Sequence, residues 1–93
     1  MSYLGFQNAV TAQVAAATAS TSLFSAGTNV HARTVYNAST SVCYVTYGTV
    51  SSSTAYTLQI PAGNYFEFPN PMYSGSVTAS WAVANGTAYT TQW

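Results

Sequence analysis

Few side chains here could do acid–base, nucleophilic or metal chemistry: His31, Arg33, Cys43 and Glu67, with no Lys and no Asp. A Cys and a His together can make a thiolate nucleophile and its base. Nothing around this pair completes that machinery. No Asp is present to orient His31, and no Gly-rich stretch offers an oxyanion hole. One His and one Cys cannot close a zinc site. Cys43 therefore reads as a buried, unreactive thiol and His31 as a satisfied surface or interface side chain. Glu67 has no second carboxylate with which to share acid and base work. The chain reads as non-enzymatic, with no catalytic residue, no cofactor and no metal. Arg33 and Glu67 are each costly to bury alone. They are expected to form a structural ion pair across neighbouring strands, within a subunit or between copies.

Composition sharpens this reading. Charged residues make up 2% of the 93 residues and aromatic residues 15%, where a soluble domain carries about a quarter charged residues. Disorder does not account for the departure, because disordered chains are charge-rich and aromatic-poor. A net charge of +0 leaves nothing to repel one copy from the next. One Arg without Lys cannot neutralise a run of phosphates or hold an anionic bilayer, so neither nucleic acid nor membrane is an expected partner. No apolar run is long enough for a membrane helix. The small residues at 14–20 lack the basic start and uninterrupted apolar stretch of a signal peptide. A single cysteine excludes an internal disulfide and fits synthesis in a reducing compartment. Asn37-Ala38-Ser39 and Asn85-Gly86-Thr87 match the glycosylation sequon, but turn chemistry explains both asparagines without secretion.

The elements that must position these residues are strands. The stretch 55–71 is the expected centre of the core. Tyr56, Leu58 and Ile60 alternate with Thr57 and Gln59; Pro61-Ala62-Gly63-Asn64 supplies a turn; Phe66 and Phe68 then alternate with Tyr65 and Glu67. This predicts a β-hairpin, ended by Pro69 and Pro71. Residues 10–19 fit either an alanine-rich helix or an alternating strand, and strand is preferred. Further strands are predicted at 22–25, at 30–36 (closed by a turn at 37–40) and at 42–47. The last of these is apolar on both faces and so is a central strand with cover on each side. Val77, Ala79, Trp81 and Val83 alternate along 76–84, and Asn85-Gly86, a strong hairpin signal, leads into a return strand at 87–93. The expected fold is an all-β antiparallel sandwich, jelly-roll-like, of about seven to eight short strands. It comprises an N-terminal arm, 1–9, and a single domain, 10–93.

Two uses compete for the aromatic residues. They can anchor protein interfaces, or stack on sugar rings with Tyr73, Tyr89 or Trp93. Tyr56 and Trp81 are expected in the core. Tyr73 and Trp93, on a loop and a terminus, are interface candidates, as are Tyr3, Leu4 and Phe6 of the arm, which packs on its own domain or reaches a neighbour.

The runs Arg33-Thr34-Val35-Tyr36-Asn37, Val42-Cys43-Tyr44-Val45, Tyr56-Thr57-Leu58-Gln59-Ile60 and Pro61-Ala62-Gly63-Asn64-Tyr65-Phe66-Glu67-Phe68-Pro69, with Trp81 and Asn85-Gly86, resemble small β-rich virion structural proteins of tailed bacteriophages. The resemblance covers about two-thirds of the chain, from Val30 onward. It implies a capsid decoration or cement protein, or a related head or tail component, made in the bacterial host cytoplasm and carried in the virion. It further implies association with copies of itself, with a trimer favoured, and docking on the major capsid protein or another virion protein. The competing expectation is a carbohydrate- or receptor-binding sandwich module of a head fibre or tail.

Overall fold

A computed structural model describes residues 9–28 and 30–93. The interface candidates Tyr3, Leu4 and Phe6, and the arm apart from Ala9, lie outside those residues. Among the described residues eight strands follow in order: β1 Val10–Ala15, β2 Thr21–Phe24, β3 Arg33–Ser39, β4 Cys43–Tyr47, β5 Leu58–Ile60, β6 Tyr65–Glu67, β7 Val77–Trp81 and β8 Gly86–Gln92. They make two four-stranded antiparallel sheets, ordered β1-β8-β3-β6 and β2-β7-β4-β5. The first strand pairs with the last, the second with the seventh, the third with the sixth, and the fourth with the fifth. The chain is thus one long hairpin, tipped by the loop at 48–57 and rolled into a sandwich, which is the jelly-roll order.

Alternation divides each strand between core and exterior. Val35, Val45, Val77, Ala79 and Ala88 are fully buried between the sheets, joined by Cys43, Ile60, Phe68, Leu23, Phe24 and Trp81. As the two-sided apolarity of residues 42–47 predicts, β4 is an interior strand of its sheet. The loop at 48–57 folds back over its outer side. Ser51 Oγ donates to the Tyr44 carbonyl at 2.8 Å, and Thr78 Oγ1 to the Gly48 carbonyl at 3.2 Å. Thr78 and Ser80 face away from the core yet are buried beneath this cover.

Several local expectations are corrected. Leu58–Ile60 and Tyr65–Glu67 belong to different sheets, so the turn at 61–64 is a corner of the sandwich and not a hairpin. Asn85-Gly86 is likewise a corner, because β7 and β8 lie in opposite sheets. Gly86 sits at φ +111, with the Ser39 Cα only 2.5 Å from where a Cβ would stand. Glycine is required there by the close approach of β3. Tyr56 is exposed and not core. The Thr57 hydroxyl accepts the Tyr47 N–H at 2.9 Å, and the β4–β5 register ends at Leu58. Asn37 is not a turn residue: β3 runs through it to Ser39, and its side chain is fully buried.

Candidate functional site

The inner side of β3 carries three polar residues, Arg33 at one end of the sandwich and Asn37 and Ser39 at the other, with Val35 between them. All five N–H groups of the Arg33 guanidinium are engaged by neutral acceptors. Nε donates to Gln92 Oε1 at 3.1 Å. Nη1 donates to the carbonyls of Tyr73 and Gly75 at 2.9 and 2.7 Å. Nη2 donates to those of Ser25 and Ser74 at 2.9 and 3.3 Å. The Phe24 ring centroid lies 4.8 Å from its central carbon, a cation–π contact. Burial pulls the Arg33 pKa below its ordinary value, while the neighbouring Tyr73 and Tyr47 push the other way.

The expected Arg33–Glu67 pair is therefore not formed within the chain. In the β3–β6 register Glu67 stands opposite Thr34, whose side chain faces outward, whereas Arg33 points inward. Alternation puts the two charges on opposite sides of one sheet. Pairing between copies is also ruled out for Arg33, which is 1% exposed and has no donor to spare. The carbonyls at 73–75 that hold it were not legible from the sequence, because a carbonyl cage has no side-chain signature.

Cys43 is fully buried, opposite Ile60 on one side and Trp81 on the other. Burial pushes its thiol pKa up to about 12, so at neutral pH it keeps its proton and is a poor nucleophile. His31 is exposed, with its backbone N–H on the Trp93 carbonyl.

Of the interface candidates, Tyr73 is partly buried and packs against the core. Its ring stacks on Tyr47 at 4.7 Å, and Tyr47 stacks in turn on Phe68 at 5.2 Å. Trp93 is half-buried and extends the β3–β8 ladder, exchanging backbone hydrogen bonds with Ala32 at 3.0 and 3.1 Å.

The outer side of the β1-β8-β3-β6 sheet carries a different set of aromatics. Tyr89 stands opposite Tyr36, and Tyr36 opposite Tyr65, so three tyrosines form one cross-strand row, with Gln13 of β1 completing it. They are 38%, 43% and 66% exposed for Tyr89, Tyr36 and Tyr65. The Tyr36 and Tyr89 rings are 6.3 Å apart and within 19° of parallel. A neighbouring row runs Thr11, Thr91, Thr34, Glu67. Tyr36 was legible only as a strand residue: its exposure follows from its register between Tyr89 and Tyr65, a non-local fact.

Comparison with protein-family models, with curated proteins and with solved structures returns no match.

Proposed function

We propose that the chain is a non-enzymatic structural protein of a bacteriophage virion, a capsid decoration or cement protein that associates with copies of itself and docks on the head lattice. The observation that carries this reading is the electrical emptiness of the exterior. Arg33, the only Lys or Arg, is sealed inside, so Glu67 is the one fully charged side chain left in contact with solvent. Such a surface has little to keep copies apart. What it presents is Tyr, Thr, Ser, Ala and Val, which pack and hydrogen-bond against equally neutral neighbours. The jelly roll adds support of a weaker kind, since virus capsid domains use it but so do lectins and cupins. The partners would be further copies of the chain, in threes by the resemblance, and the major capsid protein or another virion protein.

Light scattering on the purified chain over a wide concentration range tests the reading. Self-association is the expected result; a monomer that stays soluble at the highest concentration would refute it.

The row Tyr89, Tyr36, Tyr65 favours a second reading, a carbohydrate- or receptor-binding module of a head fibre or tail. Exposed aromatic rings in line can take successive sugar rings, with Gln13 and the threonine row offering hydrogen bonds. A glycan array tests it: saturable binding abolished by Tyr36→Ala would favour the module over the lattice component.

A further inference from the structure

Each sheet has two edges, and three of the four are blunted. β5 and β6 are 3 residues long; Pro61 follows the first directly, and the second carries Glu67. β2 has 4 residues and a register irregularity between Ser22 and Phe24. Short length, bulges, proline and charge are the devices that keep an edge from pairing with another chain. β1 has none of them. It is a regular 6-residue strand without charge or proline, and among the described residues it is paired on one side only.

The hydrogen-bond parity of that edge is fixed. Ala16 N–H donates to the Gly86 carbonyl at 3.0 Å, and the β1–β8 register continues from this pair through Val14–Ala88, Ala12–Thr90 and Val10–Gln92. In an antiparallel ladder alternate residues turn their backbone groups to opposite sides. The N–H and C=O of Thr11, Gln13 and Ala15 therefore point away from the sheet. The core side of this strand is also open: Val10 is 63% exposed, and Ala12 is exposed beside it.

We infer that β1 is the seam at which two copies of this chain join, antiparallel about a two-fold axis at Gln13, making one continuous eight-stranded sheet. The inference rests on the self-association proposed above and names where it happens. The occupant is a second copy because β1 is complementary to itself. About Gln13, Thr11 meets Ala15, Gln13 meets Gln13 and Ala15 meets Thr11, so every outward backbone group of the strand is paired. A Gln amide has a donor and an acceptor and so complements its own image across the axis. On the core side Ala12 of one copy comes opposite Val14 of the other, covering apolar surface that one sandwich leaves open. The tyrosine row of each copy then continues through the two Gln13 side chains into its counterpart. A three-fold contact, if present, would use a different surface.

Gln13→Pro removes an edge N–H without touching the β8 ladder, so the sandwich should persist. Gln13→Lys places a charge at the seam and serves as a second variant. With the full chain, circular dichroism should show both folded. Light scattering should show association weakened by about tenfold or more, as the loss of two edge hydrogen bonds implies. Gln13→Cys should give a disulfide-linked dimer on mild oxidation, because directly opposite residues have Cα atoms about 5.5 Å apart and Cys43 is sealed inside. Oligomers indifferent to Gln13→Pro and Gln13→Lys would overturn the seam while leaving self-association standing. Oligomers sensitive to both that fail to cross-link at Gln13→Cys would overturn the two-fold at that residue. A monomeric wild-type chain would overturn this inference and the functional reading together.

Discussion

Trp81 Nε1 donates to Asn37 Oδ1 at 3.1 Å, and this hydrogen bond ties one sheet to the other through the core. The same oxygen accepts the Ser39 hydroxyl at 2.7 Å, while Asn37 Nδ2 donates to the carbonyls of Ser41 and Ile60 at 2.9 and 2.8 Å. A buried amide so fully engaged is costly to remove, because each abandoned partner keeps its desolvation penalty. Asn37→Ala should cost roughly 3 kcal/mol or more. Trp81→Phe leaves the Ser39 donors on Asn37 and should cost about half as much. Urea unfolding midpoints of the two variants check the ranking; a milder effect for Asn37→Ala would refute the hub.

Arg33 and Glu67 should behave as strangers. Arg33→Met abandons Gln92, Ser25 and the three carbonyls at 73–75 in the interior and should cost roughly 3–5 kcal/mol, as breaking a buried charged network does. Arg33→Lys offers three donors where five are used and should recover only part of that. Glu67→Gln changes an exposed side chain and should move stability by less than about 0.5 kcal/mol. A double-mutant cycle between positions 33 and 67 should give a coupling near zero; a clear coupling would restore the ion pair.

The sequence carried the strands better than their partners. Period-2 alternation placed Phe66 and Phe68 on the core side against Tyr65 and Glu67, and Val77, Ala79 and Trp81 on one face, as observed, but Val83, expected on that same face, is exposed because β7 ends at Trp81. It could not say which sheet a strand joins, since core-facing residues look the same in both. Pro61-Ala62-Gly63-Asn64 and Asn85-Gly86 read as hairpins because turn chemistry describes only how the chain bends. In this molecule both bends serve corners, and the choice was made by long-range pairing of β3 with β6 and of β1 and β3 with β8. Arg33 and Asn37 were missed as core residues for a related reason. Their burial depends on acceptors supplied by distant backbone, at 73–75 and at Ile60, which no local pattern announces.

Ser80 Oγ is a buried hydroxyl with no hydrogen-bond partner, beneath the loop at 48–57. An unsatisfied buried donor costs about 1–3 kcal/mol, and replacing it by an apolar group of similar shape removes that cost. Ser80→Ala should therefore be neutral or stabilising by up to about 1 kcal/mol, against the destabilisation usual for a core change. A thermal midpoint lowered by several degrees would show that the hydroxyl has a partner after all, such as an ordered water.

Alkaline pH should unfold the protein through Cys43. Its thiol titrates near 9.0 in a free chain and at about 12 in the folded one, because burial penalises the thiolate. Below pH 9 both states hold the proton, and the group does not affect stability. Above it the unfolded chain gives up the proton and the folded chain keeps it. Stability then falls with rising pH at a slope approaching about 1.4 kcal/mol per unit and levels off above the folded value. Tyr47, whose phenol burial also raises above its ordinary 10.0, adds loss of the same sign at higher pH. Cys43→Ala should be somewhat less stable at pH 7 for the methyl-sized gap it leaves, but should lose less between pH 9 and 10.5, where only the Tyr47 share remains. Urea midpoints of both proteins across that range decide it: parallel declines would mean that Cys43 is not the group that titrates.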